Sequence, residues 1–164
     1  LASRGIPVEF NLSAGSFADP SVIVELENAV HGSTVDPSLI VVEVTETALI
    51  NAEAATRRAL ERIQRLGCRV AIDDFGTGYG GLTYVKRFPV DILKIDVEFV
   101  TDALHSDQSR SVVHSVVELA TGLGLETVAE GVEDAATFAL MQSLGVTHIQ
   151  GYHVGRPAPA LDLA

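Results

Sequence analysis

The stretch AIDDFGTGYGG, residues 71–81, ends an apolar run on two adjacent carboxylates, Asp73 and Asp74, and follows them with a glycine-rich turn. Such turns ordinarily cradle phosphate with backbone N–H groups, and two aspartates at the mouth of one would repel an anion. Divalent cations resolve the conflict, because they bind carboxylate oxygen and then attract phosphate themselves. Asn11, Glu43, Lys94, Glu130 and Gln150 stand near the ends of other β-branched runs. Asn11, Glu43, Asp73, Asp74 and Glu130 make an oxygen-only donor set, which suits Mg2+ or Mn2+ better than zinc. Around two such ions, Lys94 could polarise or orient an attacking water, and Glu130 could ligate or position it.

These residues need a scaffold that gathers them. Strand-like runs are VEFNLS (8–13), LIVVEVTE (39–46), CRVAIDDF (68–75), DILKID (91–96), ETVAEG (126–131) and THIQGY (147–152). Helical periodicity predicts helices over 52–66, 107–121 and 134–143. In the first, Ala55, Leu60 and Ile63 share a side, and Arg57, Arg58 and Glu61 lie on the others. Gly67 and Gly122 occupy expected C-terminal caps, and Asp134 starts a helix where an acid favours the dipole. Six strand–helix units at roughly 27 residues each approach the spacing of a TIM-type (β/α)8 barrel, leaving about two units upstream of Leu1. An open doubly wound sheet is the alternative, and the tail 154–164 is expected to fray.

Side-chain parity favours the barrel. Strands covered by helices turn apolar residues outward and send the alternate set inward. Val70 and Ile72 then send Arg69, Ala71 and Asp73 inward, while Val42 and Val44 do so for Glu43 and Thr45. Leu93 and Ile95 place Lys94 and Asp96 inside, and the remaining strands deliver Asn11, Glu130 and Gln150. One polar group per strand converges on one mouth, where barrel enzymes keep their chemistry. Asp74 is out of phase and enters because the strand ends there. A structural role for Lys94, as a buried partner of Asp73 or Asp96, is the competing reading.

Composition narrows the classes. A formal charge of -11 disfavours nucleic acid and anionic lipid as partners, and no membrane segment is evident. A soluble cytoplasmic domain is expected. Lone Cys68 is read as a small buried hydrophobe. His31, His105, His114 and His153 fall outside the strand ends, and His148 is expected to be a satisfied core histidine.

FNLSA, VEVTET, AIDDFGTGYGGL, FPVDILKID, VAEGVE and QGYHVGRP occur in an order and spacing that resemble the EAL family of cyclic di-GMP phosphodiesterases across essentially the whole chain. The resemblance implies residues 1–164 as the C-terminal portion of one barrel domain. It implies hydrolysis of cyclic di-GMP to linear pGpG with two Mg2+ or Mn2+ ions. Asn11, Glu43 and Asp73 match metal ligands, Asp73 bridging both ions, and Asp74 and Glu130 match groups serving the second. Lys94 matches the residue that activates water, Gln150 a water-mediated contact, and Glu46 the glutamate that pins the loop formed by Gly76, Thr77, Gly78 and Tyr79. GGDEF or sensor domains, fused or partnering, and a homodimer are compatible associations.

Departures from the family pattern matter too. No Glu-Ala-Leu tripeptide occurs, so that metal-ligating strand is expected before residue 1, and the chain alone is expected to turn over little or not at all. Gly80 and Gly81 replace the usual serines, and His153, Val154 and Gly155 stand where an aromatic-then-serine pattern is common; Arg156 is read as a loop residue. The alternative function is a degenerate noncatalytic module that binds the dinucleotide or a protein. A Schiff-base aldolase would not need the acidic cluster, and a phosphoacceptor domain would carry its acidic pair after the first strand.

Overall fold

A computed structural model describes residues 5–51, 53–76 and 81–158, with the backbone alone at 18, 47, 50, 51, 53, 81 and 82. All six expected strands form, each shorter than its apolar run: β1 Val8–Asn11, β2 Ile40–Thr45, β3 Arg69–Phe75, β4 Ile92–Ile95, β5 Glu126–Ala129 and β6 His148–Ile149. The helices are α1 Ala14–Ala18, α2 Pro20–His31, α3 Glu46–Asn51, α4 Glu53–Arg65, α5 Gly81–Arg87, α6 Val97–Asp102, α7 Asp107–Leu123 and α8 Ala135–Ser143. The chain divides into two compact units, one of residues 1–73 and 78–91 and the other of residues 74–77 and 92–164, so that β3 is cut between Asp73 and Asp74.

In the first unit, β1 pairs with β2 and β2 with β3, all in parallel. Val42 and Val44 of β2 and Val70 and Ile72 of β3 are fully buried, as outward residues under helices should be. The α4 helix packs against α1, α2 and α3, with Leu60 and Ile63 fully buried and Arg57 and Arg58 exposed. Asp19 caps α2 and Pro20 opens it, where its missing N–H costs nothing. Arg62 on α4 grips Glu27 on α2 with two hydrogen bonds, of 2.8 and 2.6 Å. The guanidinium holds the Glu27 carboxyl below its ordinary range, and Glu27 in turn raises Arg62. Cys68 is buried, and burial pushes its thiol pKa up, away from the reactive thiolate.

In the second unit, β4 pairs with β5 and β5 with β6, again in parallel. The α7 helix packs on β4 and β5 and buries Val113, Val116, Val117 and Ala120. Its C-terminal cap corrects the sequence expectation: the helix runs through Gly122 and ends at Gly124, whose φ of 71° provides the left-handed turn. Asp134 does cap α8, accepting hydrogen bonds from the N–H groups of Ala136 and Thr137 and from the Thr137 hydroxyl. Those bonds, Thr137 foremost, lower its pKa. Among the described residues no helix is long and apolar enough to cross a membrane.

Because Leu60 is fully buried and Val24 is 43% exposed, truncating them should differ sharply. Leu60→Ala is expected to cost about 3 kcal/mol and Val24→Ala less than about 0.5, both read as shifts in urea midpoint.

Candidate functional site

Asn11 is the last residue of β1 and stands in register with Glu43 on β2. The Leu12 N–H donates to the Glu43 carbonyl at 2.9 Å, extending the ladder one step past Asn11. Glu43 is itself only 5% exposed, a carboxylate sunk between two fully buried valines. Asp73 on β3 is registered with Thr45, one inward step nearer the strand end than Glu43. Glu46 is not the final strand residue, as its apolar run suggested. It opens α3 and is buried.

In the second unit, Lys94 is 4% exposed on β4, and its ammonium lies 2.5 Å from Glu130 Oε1. A buried ammonium is costly unless paired. Asp96, the other partner considered, lies one residue past β4 and instead caps α6 by accepting the Glu98 N–H at 2.7 Å. Glu130 lies one residue past β5, and Gln150 one past β6; the Gln150 N–H donates to the Ala129 carbonyl at 2.9 Å. Glu130 and Gln150 line a cavity of about 310 Å³ with Val97, Gly131, Glu133, Gly151 and Tyr152.

Asp74 enters by a route that parity did not anticipate. It lies within β3, which continues to Phe75, and its φ is +54°, unlike any other non-glycine residue described. Left-handed backbone is tolerated by aspartate better than by most residues, at roughly 1 kcal/mol. The kink breaks the alternation that would have sent Asp74 outward, and its carboxylate comes within 4.8 Å of a Glu130 carboxylate oxygen. Asp73 precedes it by one peptide bond. Carboxylate oxygens so placed, with no sulfur or imidazole beside them, suit a hard divalent cation.

Thr77, Gly78, Tyr79 and Gly80 lie outside the described residues, and Gly81 is the first residue of α5. Gly76 has a φ of +110°, and a Cβ there would come 3.2 Å from the Phe99 ring. His148 departs from expectation: its side chain is 54% exposed, and Nε2 lies 2.7 Å from Glu126 Oε2.

The cavity adds Val97, Gly131, Glu133, Gly151 and Tyr152 to the residues foreseen. A repeated signal was present: a glycine directly follows both polar residues of this cavity's strand ends, Glu130-Gly131 and Gln150-Gly151. Both have positive φ. A Cβ on Gly131 would collide with Val97 Cγ2, and one on Gly151 with the Val132 backbone.

The EAL domain family model matches residues 1–157. MucR of Pseudomonas aeruginosa, named a bifunctional diguanylate cyclase/cyclic di-GMP phosphodiesterase, is 38% identical over 156 residues, covering 95% of this chain and 23% of MucR. The solved c-di-GMP complex of the PaMucR phosphodiesterase gives a TM-score of 0.89 at 37% identity, over 96% of this chain and 64% of that one. A manganese and c-di-GMP complex of Klebsiella pneumoniae BlrP1 gives 0.85 at 35% identity, over 93% and 39%. The chain spans between a fifth and a quarter of the length of the curated relatives it matches first, at 21% and 23%. EAL domains are TIM barrels, so the parallel strand–helix units belong to that fold and not to a doubly wound sheet.

Gly151→Ala should lower the melting temperature by an amount equivalent to roughly 2 kcal/mol. Gly155→Ala, where a Cβ meets nothing within 4 Å, should leave it nearly unchanged; differential scanning fluorimetry compares the two.

Proposed function

The chain belongs to the EAL domain family, and from that premise we propose that residues 1–164 are the C-terminal part of one barrel domain that, in the intact protein, hydrolyses cyclic di-GMP to linear pGpG. Relatives carry the phosphodiesterase name, MucR among them. The observation that carries the reading is the buried Lys94 held 2.5 Å from Glu130, whose carboxylate lies within 4.8 Å of that of Asp74. An aldolase lysine needs to be free to attack a carbonyl, whereas the Lys94 head is engaged by Glu130 at 2.5 Å.

In this reading Asn11, Glu43, Asp73, Asp74 and Glu130 hold two Mg2+ or Mn2+ ions. Bound there, the ions would neutralise phosphate and lower the pKa of the attacking water. The protein's own part is positional. Lys94, as a cation, donates to the attacking oxygen and offsets charge that develops on phosphate. Glu130 fixes the Lys94 head, and Gln150 offers an amide to water on the same cavity wall. The product pGpG keeps its terminal phosphate on a 5′ oxygen, so the bond that breaks is P–O3′ and the proton ends on the released 3′ oxygen.

Glu46, buried at the start of α3, is assigned to hold the loop from Gly76 through Tyr79. A GGDEF or sensor domain elsewhere in the intact protein, a homodimer and a cytoplasmic setting complete the reading. The size of the relatives and the double name of MucR support the first of these. Gly80 and Gly81, in place of family serines, favour a second reading in which the domain binds cyclic di-GMP without cutting it.

The intact protein with Mn2+ should convert cyclic di-GMP to pGpG by chromatography, and EDTA should stop it. Asp73→Ala should abolish turnover and Lys94→Met should lower kcat by about a hundredfold or more. Tight dinucleotide binding with no pGpG in the wild type would select the noncatalytic reading.

A further inference from the structure

Asp74 and Gly76 both take left-handed backbone, at φ +54° and +110°, with the buried Phe75 between them. Two such residues in so short a turn persist only where the surroundings over-determine it. Those surroundings lie in the second unit, to which residues 74–77 belong although the rest of β3 belongs to the first. Phe99 on α6 meets the turn there. Its ring carbons Cε2 and Cδ2 stand 3.2 and 3.6 Å from the place a Gly76 Cβ would take, and Val112 Cγ1 of α7 stands 3.7 Å from it. An aromatic edge thus fills the space that glycine leaves open.

The helix that carries Phe99 is itself fixed at both ends. At its start Asp96 accepts the Glu98 N–H. At its end the Ser109 hydroxyl donates to Asp102 at 2.7 Å, and Arg110 donates through Nε and Nη2 to the Ala103 carbonyl at 3.2 and 3.1 Å. Val100 and the capping residue Ala103 are fully buried. On the metal-binding reading above, we propose that Phe99 is a positioning residue: its ring blocks displacement of Gly76 and so holds the left-handed backbone that brings the Asp74 carboxylate to the cation site beside Glu130. A residue that orients a ligand without touching the ion acts on affinity, because a misplaced carboxylate must be moved back before it binds.

The test uses the intact protein without substrate. Phe99→Leu keeps apolar bulk and loses the ring edge. Peptides that cover Asp74–Gly76 should exchange amide hydrogen about tenfold faster in it, and Mn2+, followed by the electron paramagnetic resonance of the free ion, should bind about tenfold more weakly. Phe99→Tyr, which keeps both contacting ring carbons, should stay within about twofold of wild type in each readout. Val117→Ala, at a buried position further along α7 than Val112, lowers the stability of the same unit and should leave both readouts unchanged. Unchanged exchange in Phe99→Leu, or unchanged affinity where the wild type binds Mn2+, overturns the positioning role, as does an equal effect of Val117→Ala. A wild type that takes up no Mn2+ refutes the metal-binding reading instead. Exchange then decides: faster exchange in Phe99→Leu alone supports the stop, and equal exchange in all the variants overturns it.

Discussion

A side chain buried on a strand of a parallel sheet has no water beside it, so a charge placed there must be met by another charge or a bound ion. Taking one ion out of water costs several kcal/mol, and removing the partner of a buried pair costs on the order of 3–5 kcal/mol. Lys94 and Glu43 stand in that position at 4% and 5% exposure. Lys94 and Glu130, which pair within one unit, are therefore coupled through stability. The Lys94 ammonium depends on Glu130, and the carboxylates nearby favour a cation in the same field.

The turns that follow the strands hold this arrangement in place. Asp96 ends the inward series of β4 and at once caps α6, which brings Val97 to the cavity as the first helical residue. Asp134 does the same for α8 shortly after Glu130. Between them, Gly131 and Gly151 let backbone and Val97 approach closely where any side chain would intrude. After β5, one short sequence thus carries the polar strand-end group Glu130, the close approach at Gly131 and the Asp134 cap that starts α8.

Much of this was legible before any coordinates. Strands buried on both faces write themselves as continuous β-branched runs, and a lone charged residue among them, such as Lys94 in ILKI, stands out. Leu60 and Ile63 on α4 were equally plain because one amphipathic helix covers several turns. The short helices α1, α3 and α6 were not, since five or six residues give too little periodicity and their capping depends on tertiary position. Gly122 and Gly124 differ by two residues, and only the path of the helix decides which turns left. His148 faces solvent beside Glu126, which its place in an apolar-looking run did not reveal, and the contact of the Arg156 guanidinium over the Tyr152 ring arises from a loop whose residues carry no period at all.

The left-handed backbone of Asp74 has a consequence for how its role can be measured. Glycine, asparagine and aspartate occupy that conformation at low cost, whereas alanine must bear the Cβ penalty. An alanine scan would therefore merge two losses at Asp74, a carboxylate and a backbone angle, into one number. Asparagine separates them: it preserves the shape of the turn and removes only the charge, so it is the informative neutral probe at this one position of β3.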